Sequence, residues 1–103
     1  MASRKEYLDY IMEQLSQADE VSYRPMMGEY VVYYRGKVIG GVYDDRFLVK
    51  KTKSARELLP DAQTALPYEG GKEMLLVDQL EDRALLHDLL NALDADLPAL
   101  RKR

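Results

Sequence analysis

Apolar residues near both ends of the chain recur at intervals of three and four positions, which is the period of an α-helix. Near the N-terminus this spacing predicts a helix over residues 3–18, with Ser3 and Glu6 placed as a capping box. Near the C-terminus it predicts a longer helix, which Pro98 ends. Asp78 and Glu81 precede this helix with the spacing of a capping box. The apolar stripe of this second helix consists of Leu86, Leu89, Leu90, Leu93 and Leu97.

Between these helices the pattern changes to short runs of β-branched and aromatic residues, which are typical of strands. A first short run is confined to a sheet edge by Pro25, which lacks a backbone donor. The later runs predict a three-stranded meander and one further strand after a loop that is rich in proline and glycine. The predicted strands cover residues 21–23, 29–35, 38–43, 46–51 and 72–77.

Turn residues separate these strands at short intervals. Arg35-Gly36-Lys37 and Asp44-Asp45 each predict a tight hairpin connection. Gly40-Gly41 lies inside a predicted strand and indicates either a bulge or a place where a bulky group packs over bare backbone. Thr52 or Ser54 is positioned to cap a short helix over residues 55–59, which Pro60 ends.

The order of these elements is helix, three or four strands, short helix, strand and long helix. It predicts an α+β domain of two layers, in which an antiparallel sheet of about four or five strands carries the helices on one face. Both long helices must bury their apolar stripes against the same sheet face. The other face, which is rich in tyrosine, is then either exposed to solvent or paired with another molecule.

Composition limits the chain to one ordinary globular domain. The 103 residues are 47% hydrophobic and 32% charged, and we expect a core over about residues 3–97 with a basic tail over residues 98–103. The absence of cysteine excludes disulfides, thiolate metal sites and a thiol nucleophile, and it fits a reducing compartment. No segment approaches the roughly 18 apolar residues of a membrane span, so we expect a cytoplasmic protein that does not contact membranes.

Charge is unevenly distributed along the chain although the net charge is only −3. The segment from residue 46 to residue 56 contains basic residues and no acidic ones, whereas acidic residues dominate from residue 78 to residue 96. We interpret the basic segment as a candidate surface for a partner or for nucleic acid. Its members are Arg46, Lys50, Lys51, Lys53 and Arg56.

Residues suited to catalysis or to cofactor binding do not form a recognisable pattern. His87 is the one histidine, and its place at the edge of a helical apolar stripe is typical of a solvated side chain. Asp44-Asp45 is better explained as a turn than as an acid–base pair. The segment 69–72 (Glu-Gly-Gly-Lys) lacks the earlier glycine and the helix of a phosphate-binding loop. We therefore predict no catalytic residue, metal or cofactor.

Binding remains as the class of function that the residues support. Tyr30, Tyr34 and Tyr43 near the basic segment could form a stacking platform for single-stranded nucleic acid. Tyrosine is also an ordinary strand residue, and lysine commonly protects a sheet edge from aggregation. A third interpretation is a dimer or partner interface, because tyrosine and methionine are enriched at interface cores.

The segment 24–37 resembles the N-terminal domain of the TfoX/Sxy family, whose pattern is approximately R-x-M-F-G-G-x-x-x-Y-x-x-G-K. The match continues through the acidic turn and the next strand, and again through Pro67-Tyr68, Gly71-Lys72 and Met74. This chain departs from the pattern at Met27 and at Glu29. The signature residues, which we interpret as mainly structural, are Arg24, Met26, Gly28, Tyr33, Gly36 and Leu48.

The resemblance implies a secretion-chaperone-like α+β fold and a role in regulating competence for DNA uptake in bacteria. Relatives of this family act as co-activators, which implies protein partners such as the transcription machinery or the cyclic-AMP receptor protein. The separate C-terminal domain of the family has no counterpart in this sequence, so we expect a stand-alone N-terminal domain.

Three hypotheses of function follow. The first is a regulatory module that acts through protein contacts, as a homodimer. The second is weak direct binding of nucleic acid through residues 46–56. The third is an enzyme, which the absence of a base–nucleophile pair disfavours.

Overall fold

A computed structural model describes residues 3–98 of the chain, so the predicted tail beyond Pro98 lies outside the described residues. These residues form three helices and six strands. In chain order the elements are α1 (Lys5–Gln14), β1 (Val21–Met26), β2 (Glu29–Tyr34), β3 (Lys37–Val42), β4 (Phe47–Lys50), α2 (Lys53–Leu58), β5 (Thr64–Ala65), β6 (Met74–Leu76) and α3 (Arg83–Asp96).

All six strands belong to one antiparallel sheet with the order β1-β2-β3-β4-β6-β5. The predicted α+β class and the predicted meander are therefore confirmed. The sheet has one strand more than the four or five expected, because Thr64–Ala65 pairs with β6 inside the segment predicted as a loop. Two residues are too few to produce a periodic signal in the sequence.

The three hairpins of the meander all turn within two residues, and both residues of each turn have positive φ. The φ angles are 53° and 86° at Met27-Gly28, 55° and 82° at Arg35-Gly36, and 54° and 55° at Asp44-Asp45. Positive φ at both central positions defines the type I′ turn, whose twist matches that of the flanking strands. The substitution at Met27 thus leaves a tight turn in place, with the methionine side chain 98% exposed.

Strand β3 contains the bulge that its glycines predicted. Val32 pairs with Gly40 but Tyr33 pairs with Val38, so Ile39 is an extra residue on β3. Both glycines next to it are places of close approach. A Cβ on Gly40 would lie 2.1 Å from the carbonyl oxygen of Leu48, and the ring of Tyr43 packs over the bare backbone of Gly41.

Strand β1 lies at one edge of the sheet and runs through Pro25 to Met26 instead of stopping at Tyr23. In a two-residue hairpin the residues that flank the turn, here Met26 and Glu29, form a hydrogen-bonded pair. Such pairs alternate along the strand, so the N–H and C=O groups of the even-numbered residues of β1 point toward β2. The bond from the Arg35 amide to the Glu20 carbonyl follows the same alternation. The position of Pro25 therefore faces outward, where its missing N–H leaves a gap in the free edge and disfavours pairing with another strand.

The main core fills the space between one face of the sheet and the three helices. Leu8, Ile11 and Leu15 of the α1 segment contribute to it, as do the leucines predicted as the α3 stripe, four of which are at most 2% exposed. The sheet contributes Val32, Tyr34, Ile39, Val42, Phe47, Val49, Leu75 and Val77. The prediction that the helices share one sheet face is confirmed.

The caps of the helices differ in part from those predicted. Thr52 caps α2 as expected, because its hydroxyl accepts a hydrogen bond from the Ala55 amide. The prediction for α3 is wrong in its position: Asp82, instead of Asp78, accepts from the Leu85 amide. The Ser3–Glu6 capping box is also wrong, because α1 begins after Arg4 with no side-chain cap.

Ser3 takes part instead in a polar cluster that ties the segment before α1 to two hairpins. The Glu29 carboxylate accepts hydrogen bonds from the Ser3 amide at 3.0 Å, from the Ser3 hydroxyl at 2.6 Å and from the Asp44 amide at 3.1 Å. The Asp45 carboxylate accepts from the backbone amide and from the guanidinium of Arg4, each at 2.9 Å. These two carboxylates therefore connect the segment before α1 to the β1–β2 and β3–β4 hairpins.

We expect the free energy of unfolding to fall in acid, and Asp45 to contribute to that fall. The backbone amide and then the side chain of Arg4 lower the pKa of Asp45 below its ordinary value of 3.8. A carboxyl with a lowered folded-state pKa stabilises the fold above the unfolded pKa and loses that contribution as pH falls through the folded pKa. The pKa of Asp96 is lowered in the same way by the Ser54 amide, also from 3.8.

Urea titrations between pH 6 and pH 2, roughly the range in which carboxyls titrate, would measure this dependence. The Asp45→Asn variant removes the carboxyl but keeps a residue that tolerates positive φ. Because the titrating group is gone, its unfolding free energy should depend less steeply on pH below about 4. Asp61→Asn is the matched control, because Asp61 is exposed and makes no side-chain hydrogen bond to another of residues 3–98. If the unfolding free energies of Asp45→Asn and Asp61→Asn fell equally steeply in acid, the prediction would be contradicted.

Candidate functional site: the outer groove

The sheet face opposite the main core carries a broad groove, and none of the three helices in residues 3–98 covers it. We call it the outer groove. Its volume is about 1100 Å³, and its apolar lining comes from several strands and from the segment before β6. The main apolar and aromatic side chains that line it are Val31, Tyr33, Val38, Tyr43, Tyr68 and Met74.

The floor of the outer groove is a second, smaller hydrophobic cluster. Tyr43, Leu48 and Met74 are at most 9% exposed and pack together, with Leu76 against them. Burial raises the pKa of the Tyr43 phenol, and the neighbouring Tyr68 adds to this effect. The Tyr43 side chain is therefore neutral throughout the physiological range and behaves as part of an apolar floor.

One wall of the groove is formed by Pro67 and Tyr68. The Arg46 guanidinium donates hydrogen bonds to the Tyr43 carbonyl and to the Leu66 carbonyl, each at 3.1 Å. The ring of Tyr68 lies 6.2 Å from that of Tyr43 at an interplanar angle of 65°, an edge-to-face arrangement. Arg46 therefore links the wall to the connection between β3 and β4.

The signature residues of the family resemblance divide between this face and the turns. Arg24 lies with its guanidinium carbon 5.9 Å from the centroid of the Tyr33 ring, a cation–π contact on the groove side of β1 and β2. Met26 lines the groove and Leu48 lies in its floor. Gly28 and Gly36 occupy positive-φ positions of the first two hairpin turns, at which glycine is the least strained residue.

Lysines dominate the charge of the groove. Lys50, Lys51 and Lys72 line it together with one carboxylate, that of Glu73. Lys51 pairs with Glu73 at 3.1 Å, and this contact and a hydrogen bond from Thr64 lower the pKa of Glu73. Lys50 and Lys72 form no salt bridge with any other residue of the described part of the chain. Two cations beside an apolar floor are therefore available to an anionic ligand.

The five basic residues that the sequence suggested as one surface lie in different surroundings. Lys50 and Lys51 line the outer groove, whereas the Arg46 side chain is held by the two carbonyl groups described above. Lys53 and Arg56 belong to α2 in the helix layer. The Arg56 guanidinium donates to the carbonyls of Leu59 and Ala62, beyond the C-terminal end of that helix. The structure brings two of the five to the groove.

The proposed stacking platform of three tyrosines is wrong as a geometric unit. Tyr34 is buried in the main core, where its hydroxyl donates to Asn91 at 3.0 Å, and Tyr30 packs against the same core. Tyr43 points to the opposite face of the sheet. No single ligand surface can therefore contain all three rings.

Sequence reasoning did not assign Tyr68 and Lys72 to a binding surface. They are 18 and 22 residues beyond Lys50 along the chain, and only the antiparallel pairing of β4 with β6 brings the two segments together. The family pattern contains both residues, but a pattern does not state which face of a sheet they share.

The side chains of residues 3–98 that could bind a metal are spread apart. Within that range no three metal-ligating side chains come together. His87 is partly exposed on α3, in the helix layer. None of the helices in the described part of the chain has the length and apolar character to cross a bilayer.

Comparison with known proteins gives a family match and one curated relative. The model of the TfoX N-terminal domain matches residues 13–90. An uncharacterized 12.7 kDa protein in the trpE 5′ region of Spirochaeta aurantia is 33% identical over 104 residues, which cover 100% of this chain and 90% of the relative. No solved structure matches the chain significantly.

Proposed function

The chain belongs to the TfoX N-terminal domain family, and from this premise we propose that it is a regulatory module that binds a protein partner in the outer groove. Membership suggests a regulatory or competence-related role, and the family is not a known family of enzymes. The proposal adds that the module itself catalyses no reaction and acts as a co-regulator of transcription in the cytoplasm.

The observation that supports this proposal is the apolar and aromatic face that the helix layer leaves uncovered. Concave surfaces lined by apolar and aromatic side chains, with a few polar groups among them, are common places for another molecule to bind. The lining of the outer groove combines tyrosine and methionine, which are enriched at the centres of protein interfaces, with lysines at its rim.

Homodimer formation is part of the proposal, and the geometry of β1 bears on how it would occur. Pro25 faces outward from the free edge of β1 and disfavours an edge-to-edge pairing of two sheets. The opposite edge of the sheet is β5, which is only two residues long, so a dimer would use a side-chain surface in preference to a continuous sheet.

A photo-crosslinking residue tests the proposed surface in the cells that contain the protein. p-Benzoylphenylalanine at position 68 lies in the wall of the outer groove, and the same residue at position 10 lies on α1. Both native tyrosines are exposed, by 57% and 39%. We expect a discrete protein adduct from position 68 that position 10 does not give, identified by mass spectrometry. Identical adducts from both positions, or no adduct from position 68, would argue against the groove as the docking surface.

The regulatory part of the proposal has its own measurement. Transcript levels in cells that carry Lys50→Glu together with Lys72→Glu should match those of cells that lack the protein. Transcripts unchanged by removal of the protein would show that docking serves some purpose other than regulation.

A further inference from the structure

We infer that the partner segment bound in the outer groove is acidic and carries at least one large apolar side chain. This inference rests on the proposed function and adds to it the chemical class of the partner. Its carboxylates would bind at Lys50 and Lys72. Its apolar side chain would pack against the exposed ring of Tyr68, above the floor formed by Tyr43, Leu48 and Met74.

The charge of the outer groove favours an acidic partner segment. Of the charged groups that line the groove, Lys51 and Glu73 satisfy each other, which leaves Lys50 and Lys72 without a salt-bridge partner in residues 3–98. Lys50 pairs in the sheet with Met74, and Lys72 precedes Met74 by two positions. Lys72 itself lies outside β6, which begins at Met74, but both lysines line the outer groove. The two ammonium groups can therefore bind carboxylates of the same short segment.

The surface beside these lysines is apolar and favours a large apolar side chain in the partner. The groove floor is almost fully buried, and the Tyr43 phenol in it is neutral. An ion pair that forms next to such a surface is less screened by water than one on an open surface. The site therefore favours a segment in which acidic and large apolar residues alternate over one that is only charged.

Nucleic acid would also satisfy the lysines, but the tyrosines of this face are poorly arranged for it. Single-strand platforms stack bases on open aromatic rings. The Tyr33 ring already contacts Arg24, and Tyr43 is only 6% exposed. Tyr68 is the one groove tyrosine of the described residues with more than half of its surface exposed.

A fluorescence-anisotropy titration tests the inference with synthetic probes. The probe is a labelled peptide of about eight residues, which spans about 26 Å when extended, with glutamate alternating with leucine and phenylalanine. The control peptide has glutamine in place of every glutamate. We expect micromolar binding of the acidic peptide, and at least tenfold weaker binding of the glutamine peptide. The Lys50→Glu/Lys72→Glu variant should also bind the acidic peptide at least tenfold more weakly.

A matched variant controls for the change in net charge. Lys5→Glu/Lys53→Glu alters net charge by the same amount at exposed lysines of the helix layer, so it should bind the acidic peptide as the wild type does. An equal loss in both double variants would overturn the inference, because it would indicate a general charge effect. Circular dichroism of each variant verifies that the fold is retained.

The other outcomes separate the inference from the function on which it rests. Equal binding of the glutamine peptide would overturn the acidic class while leaving the groove as a docking surface. Binding of neither peptide would also overturn the inference, and the crosslink from position 68 would then decide the proposed function independently. Preferential binding of a labelled single-stranded oligonucleotide that Lys50→Glu/Lys72→Glu abolishes would overturn both. Self-association in sedimentation experiments that this variant abolishes would identify a second copy as the occupant and overturn the inference.

Discussion

Replacing Gly40 with alanine should cost about 3 kcal/mol or more of the free energy of unfolding, the upper range for overpacking in a well-packed interior. The added Cβ would lie 2.1 Å from the Leu48 carbonyl oxygen and 2.7 Å from the Val49 Cα. Both atoms belong to the backbone of β4, which is held between β3 and β6. Neither neighbour can rotate away, so relief of the clash requires separation of β3 from β4.

Gly70→Ala provides the comparison for this prediction. Gly70 has a φ of +86°, but a Cβ there would meet no atom within 4 Å. Its cost is the left-handed backbone strain alone, about 1–2 kcal/mol. Urea unfolding followed by circular dichroism should therefore rank Gly40→Ala well below Gly70→Ala in stability. Equal midpoints for the two variants would mean that β4 yields to the added methyl group.

The fold was largely predictable because its local signals agree with each other. Glycine or aspartate in each turn gives the positive φ that a two-residue hairpin needs, and the leucine spacing of α3 matches its buried face. The caps of α1 and α3 were mispredicted because the S/T/D-x-x-E spacing depends only on sequence. Ser3 instead binds Glu29, a residue 26 positions away. A long-range hydrogen bond of that kind leaves no mark on local spacing.

The binding surface was less predictable, and one inserted residue explains much of the difference. Strict alternation from Val38, which pairs with Tyr33, would turn Tyr43 toward the helices, on the same side as Tyr34. The bulge at Ile39 shifts the alternation by one position, so Val42 enters the main core and Tyr43 turns into the outer groove. Gly40-Gly41 in the sequence indicated a bulge, but the face toward which Tyr43 points depends on which residue is the extra one.

The two faces of the sheet should differ in how strongly they respond to the same substitution. Leu75 and Leu48 are both 0% exposed and lie on adjacent strands, but Leu75 belongs to the main core and Leu48 to the groove floor. Leu→Ala costs the lost transfer free energy plus a term for the cavity that remains. The cavity left by Leu75→Ala would be sealed between the sheet and the helices, so we expect a loss of about 4–5 kcal/mol.

The cavity left by Leu48→Ala would lie beneath an open groove, where the side chains of Met74 and Tyr43 can move toward it. Its cost should therefore be close to the transfer free energy alone, about 2–3 kcal/mol. Urea midpoints of the two variants would measure the difference, with the slope of the unfolding transition compared to verify that both remain cooperative. Equal losses would mean that the groove floor is packed as rigidly as the main core. In that case the floor could not adapt to the apolar side chain of a partner, and the groove would bind only a segment that already fits it.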